Sequence, residues 1–180
     1  MKKIIAVLAA VMMFASVATA CGVSDPLNTT EAPTTAEATT EEVTEPQVDI
    51  NDYSDTFEDL CRYMTDMTYV SGEPTEMTAE LIGAKEGKKY SFNYGGGTVT
   101  AEFYVFDTEN LDETGEKTIA DVKANGKFKI GNLPETEAVL SDNGKYLMVY
   151  RDTAYDASKP DSQNTIRYND VMEAFKSFGK

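Results

Sequence analysis

The chain has 180 residues and a formal net charge of -15, with 31 acidic residues against 16 basic ones, no histidine, no tryptophan and two cysteines. A surface of this sign repels nucleic acid and bare anionic headgroups, so neither is an expected partner. The lack of histidine excludes His-dependent triads and His-ligated zinc, and Cys21 and Cys61 alone are too few for a thiolate metal site, so no metal or cofactor is expected.

In chain order, Lys2 and Lys3 come first, then an apolar run from Ile4 to Val17 broken only by Ser16, then the small residues Ala18-Thr19-Ala20 before Cys21. The run is about fourteen residues, short of the ~20 that span a bilayer and matched to the core of an export signal. This stretch resembles the signal peptide and lipobox of bacterial lipoprotein precursors. Ala20 and Thr19 fit the small positions before the cysteine, and Ala18 stands where that family most often has Leu. The resemblance implies a signal peptide over 1–20, a diacylglyceryl group on the Cys21 thiol and a mature chain starting there, near a charge of about -17 once Lys2 and Lys3 are gone. Two acyl chains make stable membrane residence, which one does not. The domain would then sit on the extracytoplasmic side of the cell membrane. Ala18-x-Ala20 is also the pattern of an ordinary signal-peptidase site, which would release a soluble protein with a free Cys21. In the first case Cys61 has no partner in the chain; in the second a Cys21–Cys61 disulfide becomes available.

Gly22 to Asp52 holds seven threonines and eight acids, is interrupted by Pro26, Pro33 and Pro46, and has no Lys or Arg. Its sparse apolar residues follow no helix or strand period, which predicts a disordered tether over 21–52. Like charges and prolines should extend it beyond the ~30 Å expected of a Gly/Ser coil of that length.

Residues 53–180 suit one domain with one core. Tyr53, Phe57, Leu60, Cys61 and Met64 form an apolar stripe, predicting a helix over 53–67 capped by Asp52. Cys61 on that stripe reads as a small core residue rather than a reactive thiol. After Gly72-Glu73-Pro74, Thr75 reads as the N-cap of a short helix through Ile82, ended by Gly83 or Gly87. Lys89–Tyr94 and Thr98–Asp107 alternate as strands about Gly95-Gly96-Gly97, a hairpin turn that lacks the context of a phosphate loop. The acidic loop 107–113 would suit calcium by composition, but its spacing is not that of an EF-hand and a solvated loop is the plainer reading. A helix over 115–125 and a brief strand over 127–130 follow. Asp142-Asn143-Gly144 between 137–141 and 145–151 is a hairpin signal. Tyr168, Val171, Met172, Phe175 and Phe178 mark a last helix capped by Asn164 or Thr165.

The expected fold is α+β: an antiparallel sheet of about four to five strands, in two layers, with the amphipathic helices at both ends packed on one face. No Ser sits in a nucleophile-elbow context and the usual general base is missing, so the chain reads as no enzyme. A carboxylate-dependent hydrolase is the weakest reading, since Glu102 and Asp107 are not marked as a pair by anything but their abundance of kind. The reading that remains is an anchored extracytoplasmic domain that binds a protein, peptide or envelope polymer. An accessory envelope lipoprotein without a small ligand is the alternative. Tyr94, Tyr104, Tyr150 and Tyr155 are the candidate partner face.

Overall fold

The computed structural model describes residues 48–180. The expected export signal, Cys21 and the expected tether up to residue 47 lie outside the described residues. Folding reaches back past the expected start: Val48, Ile50 and Tyr53 all pack against the main core.

The first helix, α1 (Phe57–Asp66), begins at Thr56, not Asp52. The Thr56 hydroxyl accepts from the Asp59 N–H at 3.1 Å, and Glu58 and Asp59 lie at the positive end of the helix dipole. Tyr53 fits the stripe for a tertiary reason. It stands in an extended cap after a 3-10 turn (Ile50–Asp52), stacks edge-on against Tyr63 at 5.1 Å and donates to Asp66 at 2.7 Å.

The predicted helix over 75–82 is divided. Thr75–Glu76 becomes strand β1, because an open strand edge offers hydrogen bonds worth more than local helix preference. Only Ala79–Ile82 winds, as a 3-10 turn closed by Gly83 at φ 72°. The long hairpin follows as β2 (Glu86–Tyr94) and β3 (Gly97–Val105). Its loop is Gly95-Gly96, both at positive φ, the requirement of a type I′ turn. A Cβ on Gly95 would stand 2.2 Å from the Asn164 side-chain oxygen, so this glycine is held by both its conformation and its neighbour.

Helix α2 (Glu113–Asn125) is capped by Asp112, whose carboxylate accepts from the Gly115 N–H at 2.7 Å, and is closed by Gly126 at φ 67°. The expected strand over 137–141 breaks at Ala138, whose N–H turns to the Gly126 carbonyl. The piece before the break, β5 (Thr136–Glu137), pairs with β4 (Lys127–Phe128) as a separate ribbon. The piece after it, β6 (Val139–Leu140), pairs with β7 (Tyr146–Asp152) across the Asp142-Asn143-Gly144 turn. Helix α3 (Gln163–Ser177) is capped by Ser162, two to three residues before Asn164 and Thr165, the residues expected to cap it.

The main sheet has the order β1-β2-β3-β7-β6, with every pair antiparallel. Helices α1 and α3 cover one face, meeting Tyr90, Ala101, Phe103 and Met148. The fold is thus the expected α+β class, with both end helices on one side. The two-layer expectation is corrected by α2. Ile119 and Val122 of α2 close over Tyr104, Leu147 and Val149 on the other face. Strand β7 is the reason: Tyr146 to Tyr150 are all buried, so both its faces need cover. Among the described residues, no helix is long and apolar enough to cross a membrane.

Candidate functional site

The four candidate tyrosines do not form one exposed face. Tyr104 lies under α2, where its hydroxyl donates to Glu102 at 3.0 Å. Burial, then the Glu102 charge, pushes the pKa of its hydroxyl well above the ordinary value. Glu102 in turn holds Lys89 at 2.9 Å, so this carboxylate is engaged by both a phenol and an ammonium. Tyr150 is also buried, and burial pushes its hydroxyl up to about 12 despite the neighbouring Arg167. Both are corrected from partner face to core. Tyr94 is half-buried at the end of β2, and Tyr155 is 37 % exposed.

Three of the four nevertheless gather at the N-terminal half of α3. Tyr155 stacks on Tyr168 at 4.1 Å, and Tyr168 meets Tyr150 edge-on at 5.7 Å. One residue organises the group: Arg167, only 7 % exposed. Its guanidinium donates to the Tyr150 hydroxyl at 2.5 Å and to the carbonyls of Thr68 and Tyr69, both at 2.9 Å. It lies 4.2 Å from the centre of the Tyr94 ring and 5.4 Å from that of Phe92. No carboxylate pairs with it among the described residues; oriented oxygens and ring faces offset its charge. Thr68 pays for this arrangement with a left-handed backbone, φ 59°. The sequence signal for Arg167 was faint: one cation between Ile166 and Tyr168 in an otherwise readable stripe.

Arg167 is itself part of the lining of a groove of about 310 Å³, with Tyr69, Tyr94, Gln163, Ile166 and Asp170. Ile166 is 48 % exposed there. At Tyr94 the groove meets the end of a strand edge that is bare among the described residues. Strand β1 covers only Lys88 and Lys89 of β2. Met77 N–H donates to the Gly87 carbonyl, so Gly87 faces outward from the sheet. By antiparallel alternation, Lys89, Ser91 and Asn93 do too. Ser91 and Asn93 are exposed, and among the described residues no strand lies beside them. Their N–H and C=O groups form a template for an added strand. The opposite edge is different. Strand β6 covers only Leu147 and Met148 of β7, but the β4–β5 ribbon overhangs the rest. There Lys127, Glu137, Val139, Tyr150, Tyr168 and Met172 line a smaller cleft of about 230 Å³.

The three glycines of the hairpin do not cradle a ligand. Gly95 abuts Asn164, whose amide reaches the Tyr94 carbonyl at 3.3 Å and Asp152 at 2.8 Å, locking the hairpin to α3. In the acidic loop, Asp112 is spent on its helix cap and Asp107 accepts from Asn110. Among the described residues no three acidic or thiol side chains converge as around a metal ion.

Among the described residues Cys61 has no disulfide partner; it is 5 % exposed, and burial pushes its thiol up to about 11. A neutral thiol favoured by the fold contributes stability in full below its ordinary value of 9.0, and this is lost as pH rises toward about 11. The shift corresponds to roughly 2–3 kcal/mol. Cys61 should therefore resist Ellman's reagent in the native protein, and the urea midpoint should fall between pH 9 and 11, less steeply in Cys61→Ala. Rapid labelling at neutral pH would show that the thiol is not part of the core.

Comparison of the chain with protein families, with curated proteins and with solved structures finds no match in any of the three.

Proposed function

We propose that this is a lipid-anchored envelope protein whose acidic tether presents a binding domain, and that the domain takes an extended segment of a partner protein along the outer edge of β2. The anchor rests on the lipobox-like Ala18-Thr19-Ala20-Cys21 after a short apolar run. One observation carries the binding reading: among the described residues no strand pairs with the outer edge of β2 from Tyr90 to Tyr94, which ends at an aromatic groove. Soluble proteins normally guard such an edge with charge, proline or a covering loop. Here the outward-facing residues are Ser91 and Asn93, which are uncharged and small enough to admit another backbone. Strand addition draws its affinity from main-chain hydrogen bonds and its selectivity from pockets for alternate side chains. The edge supplies the first and the Tyr69–Tyr94–Ile166 groove the second.

Two measurements test the two halves separately. The mature protein from native membranes should begin at Cys21 and be heavier by a diacylglycerol-sized group; an unmodified species in the medium would remove the anchor. A photo-crosslinking residue at Asn93, in native cells, should give a discrete adduct that the same residue at Glu116 on α2 does not give. Equal adducts from both sites, or none, would remove the edge reading.

A further inference from the structure

We propose that the segment received by β2 is basic, with a Lys or Arg directed to the α3 side of the added strand; this rests on the edge reading above and names the partner's chemistry. An added strand places alternate residues on the helix-covered side of the sheet, next to Phe92 and Tyr94 and against the groove. Asp170 lines that groove, and the charges of Asp170 and Glu173 reach the Tyr69 hydroxyl. At the other end of the bare edge, Glu76 sits on β1, and the Glu73 charge reaches Tyr90. All four acids are exposed, and none forms an ion pair among the described residues.

The cations nearby are already engaged. Lys89 holds Glu102, Lys88 lies over the Phe57 ring, and Arg167 is enclosed by two carbonyls, a phenol and Tyr94. Arg167 lines the groove beside Asp170, and Lys88 stands opposite Glu76, so the four carboxylates outnumber the two cations and an approaching segment meets a net negative rim around uncharged edge amides. A Lys or Arg on the groove side would gain Asp170 together with the outer faces of Tyr69 and Tyr94. An acidic segment would meet net repulsion, since Arg167 alone answers it in the groove, and the whole-chain charge of -15 reinforces this. The same repulsion disfavours a second copy of this chain as the occupant.

The test is a display library of random twelve-residue peptides, selected on the full mature chain immobilised through its N-terminus. Retained sequences should alternate apolar residues with Lys or Arg, and binding should weaken about tenfold between low and high salt as the charges are screened. Asp170→Lys should weaken binding by about tenfold as well. Asn93→Pro should abolish it, since the N–H it removes points out of the sheet and no internal ladder bond is lost. Should Asn93→Pro not fold, the double variant Ser91→Lys with Asn93→Lys sets guarding charges on the same edge and should exclude the same pool. A retained pool that is lost with Asn93→Pro but is neutral or acidic would overturn the basic partner and leave the edge site standing. A pool indifferent to both edge variants, or no retained pool, would overturn the edge site itself. A dimer in sedimentation that Asn93→Pro dissociates would make a second copy the occupant and overturn the proposal.

Discussion

Phe103→Ala should destabilise the domain by about 3–5 kcal/mol, read as a fall of more than about 10 °C in melting temperature. Phe103 is fully buried at the centre of β3, the middle strand of the five. Its ring meets Tyr90 on the neighbouring strand edge-on at 5.9 Å and stacks on Phe175 of α3 at 6.0 Å. It therefore joins two layers as well as two strands. Truncation removes its own burial and leaves a void walled by rings that belong to different elements and cannot close together. A domain of this size has only about 5–15 kcal/mol in hand, so the variant should sit near the limit of folding. Phe103→Leu keeps most of the volume and should cost under about 2 kcal/mol. If Phe103→Ala costs less than about 1 kcal/mol by urea titration, α3 does not depend on the sheet in the way its packing indicates.

What the sequence made legible followed local physics. The strand Thr98–Asp107 alternated cleanly, and the two turns rich in glycine or Asn-Gly marked their hairpins, because a tight turn needs positive φ at named positions. The apolar stripes of α1 and α3 were equally plain. Failures came where a distant partner outbid local preference. Thr75–Glu76 reads as helix until β2 stands beside it, and Ala138 divides a strand only because the Gly126 carbonyl is within reach. The second helical layer was missed because Tyr104, Leu147 and Val149 alternate with equally apolar neighbours; a strand buried on both faces carries no contrast from which to read sides. The candidate site failed more deeply. Exposure of a tyrosine is a tertiary property, and Tyr104 and Tyr150 were lost to the core while Tyr69 and Arg167 entered the site unannounced. The bare edge itself is a fact about pairing, and no single-chain pattern encodes which strand ends up outermost.

Arg167→Met should cost about 2–4 kcal/mol, and Arg167→Lys should recover little of it. The opposing effects can be weighed. Burying a guanidinium without a carboxylate partner costs several kcal/mol, which Met would spare. Against this, hydrogen bonds to a charged donor are worth about 1.5–3 kcal/mol each, and three are made. Two of them hold the Thr68 and Tyr69 carbonyls at a backbone that is already in a left-handed conformation. Once they are released, the segment is held only by its backbone bonds to the end of α1 and by the burial of Val70, and the groove wall at Tyr69 loosens. The bonds win in sum, so the loss is destabilising. Lys has the charge but not the planar fork that spans a phenol and two carbonyls at once. The control is a peptide retained by the wild-type edge. If Arg167 is a positioning residue, its affinity for Arg167→Met should fall together with protection of the Tyr69 and Val70 amides from hydrogen exchange. A variant that is more stable than the wild type yet binds less would show instead that the guanidinium is kept, at a cost to the fold, for the partner.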